Sequence, residues 1–451
     1  MDFGGAFKGA CQLHLGLRAI GVDSRILARD QALAVPHGQS WDPDPPGKKI
    51  LRETSLKKIW SNRTSLSNTH FSLDFLGVDV SNHPWVQEAD VIHLHWVAEF
   101  LSSRSLGRLA DLGKPIFWTL HDLRPLTGGC HYSAGCGQFQ SGCDMCPQLV
   151  RNRPPFTRHA WKALRAAIAA ADPDWIGPSR WICQQAIAAG VAPSQRIHFL
   201  PYGMEPIPGA GVCQRDARRA LGIPEDRKYV LLAASYLQEK RKGLALAREI
   251  LEGAAAEGVP PGSTVLLVGN LPEVPQFVGW QTLSLGQVKP EKMALVYRAA
   301  DLLLFTSLED NLPFVVMESL QHGLLPVATK VGGVTDLLPP DQFSELIFDP
   351  EKPKEAKDKL RQLLSSDGLD FLHAAVCKIG KSLPGLKTQA EAHAELYKDR
   401  TQKTKGSRRQ APKKEWPEGG ILSFPWIYWW IQLKKSKVWR GKFQFSHHLR
   451  N

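Results

Sequence analysis

The sequence predicts an α/β fold of two doubly wound domains facing each other across a cleft. Three observations predict it. The chain has 451 residues, too many for one ordinary core, so two domains of about 200 residues are expected. Continuously apolar, strand-like runs alternate with helical patterns, and such runs belong to parallel sheets covered on both faces. The alternation pauses once, in a Pro- and Gly-broken stretch at 203–226, where the chain is expected to pass between domains.

In the first half, "ADVIHLHWV" (89–97), "KPIFWTLHD" (114–122) and "PDWIGPS" (173–179) read as strands. In the second half, "KYVLLAASY" (228–236), "STVLLVGN" (263–270), "ADLLLFTS" (300–307) and "LLPVATK" (324–330) do so. Helical patterns fall between them at 158–171, 242–256 and 290–300. A Gly-rich loop and helix open the chain at 4–22, yet only Met1, Asp2 and Phe3 precede them. A strand should stand there, because the first strand of a doubly wound sheet is central. The first strand of the N-terminal domain is therefore expected to be missing, supplied either from upstream of Met1 or by another segment.

Composition narrows the function. The apolar fraction of 43% and charged fraction of 22% are those of a globular protein. No run of about 20 apolar residues is present, so no spanning helix is expected. The N-terminus lacks the basic start and apolar core of a signal peptide. A cytoplasmic location follows. The net charge is +12, but residues 401–451 hold twelve Lys and Arg against two acids, which leaves +2 for the first 400 residues. A nearly neutral body is not one that wraps nucleic acid.

The segment "TSLEDNLPFVVMESLQHGLLPVATKVGGV" (306–334) carries the most chemistry. It reads strand, loop, helix, strand, turn, with Pro313 suited to a first helical turn and Gly323 to a helix end. Free N–H groups and a positive helix end would then meet the carboxyl edge of a parallel sheet, where phosphates bind. Glu318 is an acid among Phe314, Val315, Val316 and Met317. Sugar or ribose hydroxyls would partner it, because a carboxylate only accepts. Asp310 could serve a second sugar, or Asp310 and Asn311 could simply cap the helix while Glu318 faces solvent.

An acid, seven residues, a Glu, a strand and a Gly-Gly turn resemble the donor site of family-4 retaining glycosyltransferases of GT-B fold, polysaccharide-biosynthesis type. Other pieces agree in order. "GGAFKGACQLHLGLRAIGVDSRIL" (4–27) resembles their N-terminal Gly-rich loop and helix, and "FWTLHDLRPLTGGCHY" (117–132) their central His segment. "IGPSRWI" and "IHFLPYGME" resemble the end of the first domain, and "KRKGLAL" (240–246) the basic phosphate turn.

The resemblance implies a GT-B architecture of two Rossmann-like domains. Residues 1–205 form the acceptor side, 206–226 a linker, 227–383 the donor domain, 384–400 a crossing helix and 401–451 a basic aromatic tail. It implies that Glu318 holds ribose hydroxyls and that Asp310 contacts the transferred sugar. The family usually has Glu at that position, and Glu309 next door could compensate. Asn311 and Leu312 would supply backbone donors to a diphosphate, with Lys242 and Arg241 as its cations; Tyr236 stands where many members add another Arg. His121 would lie near the reacting sugar, and Gly4 and Gly5 near the donor phosphates. The implied reaction moves a sugar from a UDP- or GDP-linked donor to a glycan or lipid-linked acceptor and needs no catalytic metal. A same-fold epimerase or phosphorylase, or a non-catalytic nucleotide-sugar binder, are the alternatives.

Two segments carry signals of their own. Cys130, Cys136, Cys143 and Cys146 follow the spacing C-x5-C-x6-C-x2-C. In a cytosolic chain such a cluster points to structural zinc ahead of disulfides or free thiols. Residues 421–443 are aromatic and then basic. That order suits an anionic membrane surface, here the inner face of the plasma membrane, or docking on the protein's own surface.

Overall fold

The computed structural model describes residues 4–405 apart from 30–34, 73, 75–76, 154, 206–211 and 367. The expected tail contact at 421–443 lies outside the described residues. Two parallel sheets dominate the chain. The first has the order β3-β4-β5-β6, from Ile92–His95, Ile116–Thr119, Asp174–Gly177 and Ile197–Phe199. The second has six strands: β7 (Tyr229–Tyr236), β8 (Thr264–Asn270), β9 (Gln281–Ser284), β10 (Leu302–Phe305), β11 (Leu325–Thr329) and β12 (Ile347–Phe348). Their order is β12-β11-β10-β7-β8-β9. A separate parallel pair, β1 (Ile26–Ala28) with β2 (Gly38–Ser40), accompanies the first sheet.

The seven runs read as strands all form strands, trimmed by a few residues. Leu302–Phe305 and Leu325–Thr329 are buried at every position, as two-sided cover requires. A single cluster built on Val230, Leu231, Leu266, Leu303, Val316 and Leu325 makes the core of the second domain. Full burial of each such side chain contributes about 1.5–3 kcal/mol. The first domain has its own core around Leu94, Ile116, Trp118, Leu164 and Trp175.

Among the described residues no strand precedes the helix Gly5–Ala19. Ile26–Ala28 and Ile92–His95 belong to different sheets, and both line the cleft. Within the expected linker, Gln214–Leu221 forms a helix on the second domain. Its Arg218 donates to Ala299 O (2.9 Å) and pairs with Asp301 (2.8 Å). The last described helix, Leu386–Lys405, returns to the first domain. There Gly16 meets the Leu386 carbonyl so closely that a Cβ would lie 2.6 Å from it.

Candidate active site

The carboxyl edge of the second sheet is assembled from two turns that need glycine. After β7 the chain makes a tight turn at Lys240–Lys242 and passes through Gly243 at φ 68. A Cβ on Gly243 would lie 1.9 Å from the Thr306 carbonyl oxygen. That closeness lets Leu308 N–H donate to Arg241 O at 2.7 Å. Gly332, at φ 50, sits so near the 310 loop that its Cβ would fall 1.6 Å from Asp310 O. Only a residue without Cβ fits either place. The loop between the turns ends at the helix Phe314–Gln321, whose N-cap is Pro313.

Asp310 is buried, and its Oδ2 accepts from Lys242 Nζ (2.9 Å) and Arg241 Nη1 (3.0 Å). Burial opposes ionisation of Asp310, but the two cations hold its carboxyl below the usual range. Burial, then the neighbouring Arg241, lowers the Lys242 ammonium, with Asp310 opposing. Arg241 also lies 4.4 Å over the Tyr132 ring. Glu318 accepts from Tyr297 OH (2.5 Å) and pairs with Lys8 from the N-terminal helix. Lys8 lies one turn beyond Gly4 and Gly5, and those glycines line the same cleft. So Glu318 does not point freely into solvent.

Asn311 joins the domains. Its Oδ1 accepts from Ser179 Oγ (2.6 Å), and its Nδ2 donates to Leu120 O (2.7 Å) and His121 O (3.2 Å). Its N–H is engaged by the Asp310 side chain at 3.0 Å, whereas Leu312 is buried at the cleft wall. Glu309 does not stand in for Asp310. It accepts from Ala134 N–H (2.8 Å), Asn68 Nδ2 (3.1 Å) and Ser133 Oγ (3.2 Å), all in the first domain. That correction follows from the turn, which sends neighbouring side chains to opposite sides.

His121 reaches the cleft from the end of β4 with both ring nitrogens occupied. Nδ1 bonds Tyr202 OH (2.8 Å) and Nε2 bonds His95 Nδ1 (3.0 Å). Burial pushes its pKa down to about 4, so it is neutral at pH 7. Beside it, Asp122 accepts from Trp96 Nε1 (2.8 Å), from His131 Nδ1 (2.6 Å) and from Arg124 N–H (2.9 Å). His95, Tyr202, Lys8 and Tyr297 were not singled out by sequence. Their partners lie far away in the chain, and a lone His or Tyr carries no spacing signal.

A cleft of about 1360 Å³ opens beside these groups, and Glu318, Lys8 and Tyr297 are not among the residues that line it. It takes walls from both domains, and Gly4, Gly5, His121, Arg241, Lys242, Asp310, Asn311 and Leu312 all line it. The four clustered cysteines are elsewhere, around one small cavity behind the 128–148 loop. All four are free thiols. Cys143 Sγ accepts from Gly128 N–H at 3.3 Å and Cys136 Sγ from Gln138 N–H at 3.4 Å. Burial pushes Cys143 and Cys146 up to about 11. Among the described residues no three His, Cys, Asp or Glu side chains are set to hold a metal ion. The zinc expectation therefore finds no support in this arrangement.

Two parallel-sheet domains meeting at such a cleft make a GT-B fold, as comparison with solved structures bears out. Sucrose-phosphate synthase from Thermosynechococcus elongatus matches with a TM-score of 0.57 and 18% identity, over 89% of this chain and 94% of that one. Anabaena HepE in complex with UDP-glucose matches with a TM-score of 0.55 and 16% identity, over 88% and 97%. In sequence, residues 227–366 match the family model for glycosyl transferases group 1. The sulfoquinovosyl transferase SQD2 of Arabidopsis thaliana is 24% identical over 211 residues, 45% of this chain and 40% of that protein. This chain spans between 40% and 63% of the length of the curated relatives it matches.

Proposed function

We propose that the chain is a glycosyltransferase that takes a sugar from a UDP- or GDP-linked donor and passes it to a glycan or lipid-linked acceptor. We propose further that it retains anomeric configuration and works in cell-surface polysaccharide biosynthesis. One observation carries the reading: Lys242 and Arg241 converge on Asp310, in the cleft, at the start of the helix that bears Glu318. A nucleoside diphosphate would compete with Asp310 for both cations. Charge growing on the leaving diphosphate would then be met by Lys242, Arg241 and the helix end where it develops. Glu318 would turn from Lys8 to the ribose hydroxyls. Neutral His121, fixed on the opposite wall, would face the transferred sugar.

The HepE complex with UDP-glucose supports a nucleotide-sugar donor for this fold. The glycosyl transferases group 1 match falls on the domain that holds the cations and both acids. Peripheral attachment to an anionic membrane through 421–443 belongs to the same proposal, since lipid-linked acceptors lie there. Among the described residues no helix is long and apolar enough to cross a membrane.

A thermal-shift panel of UDP-, GDP- and ADP-sugars tests the proposal. A ligand at about 100 times its dissociation constant adds about 2.7 kcal/mol of stability. One base class should raise the melting temperature. No shift with any of them at millimolar concentration would reject the donor assignment.

A further inference from the structure

We infer that Trp96 is a stacking platform for the acceptor, and that the acceptor's reacting end is a sugar ring. This rests on the donor reading above, for which it supplies the opposite half of the cleft.

Trp96 follows β3 directly, on the first-domain wall of the cleft. It is 43% exposed, whereas the core residues Trp118 and Trp175 are 4% and 0% exposed. An open indole usually floats, but this one is fixed at its edge by the bond from Nε1 to buried Asp122. The rings of His131 and His70 lie against it, with centroids at 5.4 and 6.2 Å. Its backbone is left-handed at φ 42, and Glu99, three residues on, is left-handed at φ 63. Bulky residues adopt that conformation only where the surroundings over-determine it, and such places cluster at ligand sites.

The surroundings here do over-determine it. His70 Nε2 bonds Glu99 Oε1 at 2.6 Å, and Arg29 Nη1 donates to Glu99 O at 2.6 Å. The loop therefore holds an aromatic plane open to the cleft, one residue from His95, the partner of His121. Beside the ring stands the partly open His70, a group that exchanges hydrogen bonds with hydroxyls. A pyranose offers the complement: an apolar C–H face and a rim of hydroxyls. Apolar side chains such as Val97, Phe100 and Leu101 also line the cleft, so a lipid chain is the competing ligand that the experiment separates from a sugar.

Saturation-transfer NMR on the full chain with UDP present tests this. The probes are glucose, galactose, mannose, N-acetylglucosamine and cellobiose, with octyl phosphate as the lipid control. At least one sugar should receive saturation at its ring C–H protons. Trp96→Ala should cut that signal at least tenfold and Trp96→Phe should keep most of it. Trp96→Leu, which retains apolar bulk without a ring face, should behave like Ala and takes its place if Trp96→Ala does not fold. The UDP-induced melting shift should be the same in all variants. No sugar signal in the unmodified chain, an undiminished signal in Trp96→Leu, or saturation confined to the octyl chain would each overturn the inference. Absence of a melting shift with both UDP and GDP in the unmodified chain would instead reject the donor reading.

Discussion

Lys242 Nζ lies 2.9 Å from Asp310 Oδ2, and Arg241 shares the same oxygen at 3.0 Å. All three side chains are largely buried. Removing the acid leaves two cations without their counter-charge, and breaking a buried pair from one side costs about 3–5 kcal/mol. Asp310→Ala should lower stability by that order in urea unfolding. A nucleoside diphosphate should recover part of the loss, because it brings its own negative charge to Lys242 and Arg241. An Asp310→Ala chain as stable as the original would show that the triad is not coupled.

Glu318 sits between Lys8 and Tyr297. If it serves a ribose, Glu318→Ala should weaken nucleotide-sugar binding by about 1.5–3 kcal/mol, the worth of a hydrogen bond to a charged group. Lys8→Ala should weaken it less. Calorimetric titration of both variants checks the order, and equal affinity of Glu318→Ala and the unmodified chain would take Glu318 out of the donor site.

The chain should lose stability in mild acid. Burial holds His121 and His393 at about 4, and His93 and His95 well below their ordinary value. Between pH about 6.5 and 4 the unfolded chain takes up protons that the folded chain refuses, so stability falls as pH falls. By pH 4 each of His121 and His393 costs about 3 kcal/mol on this account. His393→Gln, away from the Asp310 edge, should flatten the pH dependence by about one proton. A melting temperature level from pH 7 to 4.5 would contradict these burial effects.

The tail should bind anionic vesicles reversibly. It carries +10 and five Trp, at 416, 426, 429, 430 and 439, and the apolar part is too short to span a core that needs about 20 residues. Each Lys near the headgroups contributes about 1 kcal/mol, and salt screens it. The last described helix runs to Lys405, so a chain ending there should keep donor binding and lose sedimentation with vesicles. Equal sedimentation of the two chains at low salt would assign the aromatics to the protein's own surface.

The sheets were legible where strands are buried on both faces. β4, β8, β10 and β11 are apolar and buried at nearly every position. β1, β2 and β9 were not legible, being three or four residues long and only partly buried. Spacing pointed to Asp310 and Glu318, because a loop and one helix carry both. It could not give their partners: Lys8 is 310 residues from Glu318. Nor could it tell which of Glu309 and Asp310 faces the cations, since a turn decides that. The cysteines were legible as a cluster but not as a ligand set, because spacing fixes neighbourhood and not the direction of a thiol.

The central claim is that Lys242 and Arg241 are the diphosphate cations. Calorimetry with Lys242→Ala tests it most directly, using the nucleoside diphosphate that stabilises the unmodified chain and the matching nucleoside. Losing a charged hydrogen bond costs about 1.5–3 kcal/mol, or roughly ten- to more than a hundredfold in affinity. The diphosphate should lose that much while the nucleoside binds as before. Equal losses for nucleoside and diphosphate, or no loss for either, would contradict the claim.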